Sequence, residues 1–260
     1  MALSSESFEY PAGQSHPIRI AKAPRDGKKY PVVVLVHGTS GLAGDCGKQL
    51  EGFAESIGAL GYLTALPCMY SDSVPHLYDA DITHKVPVLE AAIEHIKQKH
   101  ASNADVDRLA LVGFCLGSGI AMAYIQKSPM GRVKAFADFY GYVNPLLGAG
   151  VAKLPPTIMF HNTNDKRFVD PAMNSRLLEK ALVEHDRAVE AHNRSGSGAK
   201  LKPIDHDYRE YTETNPDPQA ANHIFTPGGP ADVESRRLTL EWLQKYMPPV
   251  GKSLERVSVA

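Results

Sequence analysis

Apolar residues in this chain follow two rhythms that alternate along its length. Pro31 to Val36 (PVVVLV), Tyr62 to Leu66, Leu109 to Val112, Val133 to Phe139 and Pro156 to Phe160 are short runs of strand length, and the first is the pattern of a strand buried on both faces. Between them, Leu50, Phe53, Ala54 and Ile57 recur at helical spacing until Gly61, which predicts a surface helix from Cys46 to Leu60. Val86, Leu89, Ile93 and Ile96 repeat that spacing, and Ile120 to Ile125 is a more uniformly apolar helical stretch. Strands alternating with helices imply right-handed crossovers and a mostly parallel sheet.

The flanks are more polar. His16 to Ala21 has the look of an exposed N-terminal strand or hairpin, with a turn at Pro24 to Gly27, and Tyr208 to Thr212 reads as an edge strand. Asp170-Pro171 has the signature of a helix start, with Asp as N-cap and Pro at the first helical position. Ala191 to Pro203 (AHNRSGSGAKLKP) has no periodicity and is expected to be a mobile surface loop. A closing helix carries Val233, Leu240, Leu243 and Met247 on one face and stops at Pro248-Pro249.

With 260 residues, 43% of them hydrophobic and 22% charged, and with no repeat or linker, the chain is expected to be a single α/β domain over 1–260 with its core at about 30–247. A formal net charge of -1 without a long basic run argues against nucleic acid as a partner. No segment is long and apolar enough to span a bilayer, and the N-terminus lacks the basic start and apolar stretch of a signal peptide. Cys46, Cys68 and Cys115 have no zinc-type spacing and suit reduced thiols, so a cytoplasmic location is expected. Nothing in the sequence sets the oligomeric state.

Chemistry gathers where strands end. In such sheets ligands bind at the carboxyl ends of the strands, and His37, Cys115, Tyr140 and Asp165 each fall just past one. Gly113-Phe114-Cys115-Leu116-Gly117 follows the run at Leu109 to Val112 and precedes a helix, which is the G-x-S-x-G nucleophile elbow with cysteine in place of serine. A cysteine between glycines is also a common small buried hydrophobe. The elbow would point the Leu116 amide at an oxygen bound beside the thiol, and the His37-Gly38-Thr39-Ser40-Gly41 loop could bring further amides close. Taken alone, that loop reads rather as a flexible strand-to-helix connection. Asp170 already has a capping task, which leaves Asp165 the freer acid. His223 follows in Asn222-His223-Ile224-Phe225, so Cys115, Asp165 and His223 stand in the order nucleophile, acid, histidine.

GFCLGSG, Tyr140-Gly141, the HNTND loop at His161 to Asp165 and Asn222-His223-Ile224-Phe225 resemble the dienelactone hydrolase family over most of Tyr30 to Tyr246. The resemblance implies an α/β-hydrolase fold and hydrolysis of small esters or lactones with no metal or organic cofactor. It implies Cys115 as nucleophile, His223 as base, Asp165 as the acid that orients it, and the amides of Leu116 and Thr39 as oxyanion donors. Gly38, Tyr140, Tyr142 and Phe225 would line the substrate pocket. Two departures bear on substrate and reactivity. Gly38 stands where the family has a glutamate that keeps the resting thiol neutral, and Pro227 where it has an arginine that holds a substrate carboxylate. Ser118 replaces a second glycine after the elbow. Without the glutamate, a larger resting thiolate fraction is expected unless Asp45 or Asp72 fills the space. The rival reading is a non-catalytic protein of the same fold that binds a small ligand or partner.

Overall fold

The structure is a computed structural model that describes residues 3–21, 26–70, 82–143, 150–167, 170, 174–196 and 198–250. An N-terminal hairpin of β1 (Ser4–Glu9) and β2 (Ser15–Ala21) leads into β3 (Tyr30–Val36), α1 (Gly44–Ala59) and β4 (Leu63–Pro67). Then come α2 (Ile82–Lys99), β5 (Ala104–Phe114), α3 (Leu116–Lys127), β6 (Val133–Phe139) and β7 (Thr157–Asn162). The chain closes with α4 (Ser175–Ser195), β8 (His206–Tyr211) and α5 (Pro230–Tyr246). All eight strands form one sheet in the order β1-β2-β4-β3-β5-β6-β7-β8. The β1-β2 and β2-β4 pairs are antiparallel and every other pair is parallel.

The burial explains the apolar runs. All seven residues of β3 are buried, as are all of β7, because helices cover both faces of the parallel part of the sheet. Helix α3 is buried on every side from Leu116 to Ile125, packed between β5 and α2, so its sequence shows no polar face. The surface helix expected at Cys46 begins two residues earlier, at Gly44, and the chain turns out of it at Gly61 with φ 99°.

Three expectations are corrected. Ala191 to Ser195 are the last turn of α4, which ends at Gly196 with φ 70°, so only the later part of the expected loop lies outside a helix. The Asn193 side chain both donates to the Leu201 carbonyl and accepts from the Leu201 N–H, each at 2.9 Å. A low-complexity sequence hid a polar clamp. Second, α4 is capped by Asn174, whose side chain accepts from the Arg176 N–H at 3.0 Å, so Asp170 does not cap it. Pro171 lies outside the described residues, as does part of the turn at Pro24 to Gly27. Third, Val233 is half exposed. Helix α5 buries Ala231, Ser235, Thr239 and Leu243, a stripe at i, i+4 spacing in which two members are polar. The Ser235 and Thr239 hydroxyls bond to the carbonyls of Asp232 and Ser235 at 3.1 and 2.8 Å, and this lets them enter the core.

Candidate active site

Strand β5 ends in a backbone conformation that few residues tolerate. Cys115 has φ 54° and ψ -123°, and the glycines on either side make the turn possible. A Cβ on Gly113 would sit 2.4 Å from the Ser118 Cα, and one on Gly117 would sit 2.0 Å from the Val36 carbonyl oxygen. Strand, helix and the neighbouring β3 therefore meet without room for side chains, and the thiol is raised at the rim of the sheet.

Two peptide planes beside the thiol are aimed from behind. The Cys115 carbonyl accepts from the N–H groups of Ser118 and Tyr142, at 3.1 and 3.0 Å. The C=O and N–H of a trans peptide point in opposite directions, so the Leu116 N–H turns toward the thiol. The Gly38 carbonyl is held likewise, by the Gly41 N–H at 3.2 Å and by His37 Nδ1–H at 2.7 Å, which turns the Thr39 N–H away from them. His37 is fully buried, and its Nε2 accepts from the Met69 N–H at 2.9 Å, which fixes the tautomer. Burial pushes this imidazole down to about 4, against the Gly38 carbonyl, so it is neutral.

The acid and the histidine come from adjacent loops. Asp165 follows β7 and accepts from His223 Nδ1 at 2.7 Å, and its other oxygen accepts from the Arg167 N–H at 2.7 Å. Both side chains are almost wholly shielded from solvent. Asn162 at the end of β7 knits the loops together: its side-chain nitrogen donates to the carbonyls of Glu213 and Asn222, at 2.9 and 2.8 Å. Lys166 N–H donates to the Ala221 carbonyl at 2.9 Å, and Asn215 Nδ2 donates to the Ile224 carbonyl at 2.9 Å. Ala221 and Asn222 are both left-handed, at φ 50° and 54°, and deliver His223 to the cleft.

A cleft open to solvent collects Gly38, Thr39, Cys115, Tyr140, His223 and Phe225. The Tyr140 ring meets His223 edge-on at 5.1 Å and Phe225 at 5.4 Å, so it backs the imidazole. Tyr142, expected in the pocket, does not line it; its contribution is the amide on the Cys115 carbonyl. Three lining features escaped the sequence reading. Cys46 faces the same cleft as Cys115. Arg236 is pinned by Asp232 at 2.6 Å, an i, i+4 pair on a helix read only for its apolar stripe. Arg167, two residues past Asp165, is exposed at the mouth and reaches the Gln219 carbonyl at 3.5 Å. Among the described residues, no group of three or more histidine, cysteine or acidic side chains could hold a metal ion.

The electrostatics of the pair follow from burial and contact. Burial pushes the Cys115 thiol up, but the charge and hydrogen bonding of His223 and the Leu116 N–H outweigh it, and the thiol falls below its ordinary value. Burial pushes His223 down, and Cys115 and Asp165 outweigh that, raising it to about 9. Burial pushes the Cys46 thiol up. Asp45 does not replace a glutamate at position 38, since its carboxylate is exposed and pairs with Lys48 at 3.0 Å; Asp72 lies outside the described residues. Nor would a side chain fit at Gly38. Its Cβ would meet the Cys115 Cβ at 2.8 Å and the Phe114 carbonyl oxygen at 3.1 Å.

The fold has many solved relatives. A dienelactone hydrolase from Anabaena variabilis superposes with a TM-score of 0.66 at 16% identity, covering 95% of this chain and 98% of that one. A carboxylesterase from Lactobacillus plantarum gives 0.62 at 16% identity, with 97% and 100% covered. A propionate-bound thermophilic esterase, Est2 from Thermogutta terrifontis, gives 0.62 at 13% identity, with 96% and 97% covered. No curated protein sequence matches the chain. The sequence model of the dienelactone hydrolase family matches residues 19–198, a span that holds the Gly38 loop, the elbow and Asp165 and stops short of His223. With the sheet order, the elbow and that match in agreement, the chain belongs to the dienelactone hydrolase family.

Proposed function

We propose that this carboxylic ester hydrolase cleaves small esters and lactones through a Cys115–His223–Asp165 triad and an acyl-enzyme intermediate. The observation that carries the reading is the convergence, in one cleft, of a left-handed Cys115 at the sheet rim with a His223 whose Nδ1 is held by Asp165 at 2.7 Å. Resting thiol and imidazole share a proton that lies toward His223. The Cys115 sulfur attacks the acyl carbon, and the negative charge that develops on the carbonyl oxygen is met by the Leu116 and Thr39 N–H groups. Collapse breaks the bond to the alkoxy oxygen, which takes the proton from His223 and leaves as alcohol; in a lactone it stays tethered to the acyl chain. His223 then removes a proton from water, hydroxide attacks the thioester, and the carboxylic acid departs as Cys115 is regenerated. Asp165 holds the imidazole in the required tautomer throughout.

The test is hydrolysis of nitrophenyl acetate and butyrate by wild type and Cys115→Ala, acyl lengths close to the propionate bound in the similar Est2 structure. Turnover in the wild type and none in the variant is expected; full turnover in purified Cys115→Ala removes the nucleophile assignment.

A further inference from the structure

One buried carboxylate has no part in the chemistry above. Asp138 lies on β6 beside Gly113 of β5 and is fully buried under the elbow. Its Oδ2 accepts the Ser175 hydroxyl at 2.7 Å, and the Ser175 oxygen in turn accepts the Gly141 N–H at 3.2 Å. The next amide along, Tyr142 N–H, donates to the Cys115 carbonyl at 3.0 Å. We propose that Asp138, acting through Ser175 and the Gly141–Tyr142 turn, is a positioning residue that holds the Leu116 N–H in its oxyanion-binding direction. This rests on the oxyanion role assigned to Leu116 above.

The packing supports the relay. A Cβ on Gly141 would fall 1.9 Å from Asp138 Oδ1 and 2.7 Å from the Ser118 Cβ, so the turn is pressed directly onto the carboxylate and onto the first turn of α3. The turn is also strained. Tyr140 has φ 42°, and a bulky residue stays there only when its surroundings over-determine it. The Tyr140 N–H is anchored to the Phe160 carbonyl at 2.7 Å, which leaves Gly141 and Tyr142 to be held from the Asp138 side. A carboxyl group in a sheet interior is costly, and an apolar side chain would fill the space more cheaply. Burial pushes Asp138 up to about 6, against the Ser118 hydroxyl from α3, the Ser175 hydroxyl from α4, the Gly141 amide and the His223 imidazole. The same burial makes Asp138 a poor residue for stability alone, which separates a positioning role from a structural one.

The experiment compares Ser175→Ala, Asp138→Ala and Asp138→Asn with wild type. Removing an oxyanion donor costs about a hundred- to a thousandfold in kcat, so a donor left in place but poorly aimed should cost about ten- to a hundredfold, with KM within about twofold. Ser175→Ala and Asp138→Ala should show that split. Asp138→Asn should recover kcat to within a few-fold, because its amide oxygen still accepts from Ser175, and its melting temperature should equal or exceed that of wild type. Amide hydrogen exchange gives a readout that needs no substrate: Tyr142 should exchange faster in Ser175→Ala while Tyr140 stays protected. Wild-type kcat in both alanine variants, or unchanged exchange at Tyr142, overturns the relay. If the wild type hydrolyses no ester, the functional reading fails and the Tyr142 exchange still decides on Asp138.

Discussion

Alkylation of Cys115 by iodoacetamide, with no substrate present, reads the charge balance of the site. Burial alone would keep this thiol protonated. His223 reverses that, and its own rise from 6.5 to about 9 corresponds to about 3 kcal/mol in favour of the imidazolium. A free thiol with a pKa of about 8.5 is only about 3% thiolate at pH 7. Because the Cys115 pKa is lowered, its alkylation midpoint should lie below that of a free thiol, and the rate should level off on the alkaline side until His223 loses its proton near pH 9. Cys46 in the same cleft is shifted the other way, so peptide mapping at neutral pH should find the label on Cys115 first. In His223→Gln burial is opposed only by the Leu116 amide and the charge of Arg167, and the midpoint should move upward. Gly38→Glu, the comparison the sequence suggests, is unsuitable because its Cβ would collide with Cys115. A wild-type midpoint at or above the free-thiol value, or one unmoved by His223→Gln, refutes the ion-pair reasoning.

Asp165→Asn should lower kcat by about four orders of magnitude, as when the orienting carboxylate of another triad is lost, whereas Asp170→Asn should stay within a few-fold in the same steady-state assay. His37 predicts acid lability. Its folded pKa is about 4 against 6.5, so its contribution to stability is present above pH 6.5 and lost as pH falls toward 4, about 3 kcal/mol in all. Urea unfolding at pH 7 and pH 4.5 measures the loss, and His37→Gln should flatten that part of the curve. Gly117→Ala places a Cβ 2.0 Å from the Val36 carbonyl oxygen and should cost about 3 kcal/mol or more, seen as a lowered denaturation midpoint.

Elements whose residues face one environment were legible in the sequence. The run PVVVLV is buried at each position and could only be a central strand, and Gly113 and Gly117 announced a turn too tight for side chains. What stayed hidden depends on which neighbour a residue meets. The polar stripe of Ser235 and Thr239 enters the core because the helix supplies the hydroxyls with acceptors, and no periodicity of apolar residues reports that. Asn193 closes a loop by pairing with a backbone eight residues away. Asn162 joins the loops that carry Asp165 and His223, yet in sequence it is one asparagine of two in HNTND. Tyr142 meets the elbow through its amide and not by lining the pocket.

The glycine at position 38 and the close approach of its loop to the elbow are one feature. With no Cβ at position 38, the Gly38 loop lies against the Cβ of Cys115, and a side chain there would force the loop and the elbow apart. That approach packs Gly38 against Cys115 and leaves no room at position 38 for a side chain beside the sulfur. The groups that act on the two peptides lie behind the backbone. His37, just past β3 and held by the Met69 N–H, fixes the Gly38–Thr39 peptide, and Asp138 with Ser175 is proposed to fix the Cys115–Leu116 peptide from the end of β6. Both are buried ionisable groups, and burial moves them in opposite directions, His37 to about 4 and Asp138 to about 6. His37 is thereby neutral at pH 7, whereas Asp138, shifted only to about 6, keeps most of its charge there and is held by the Ser175 hydroxyl.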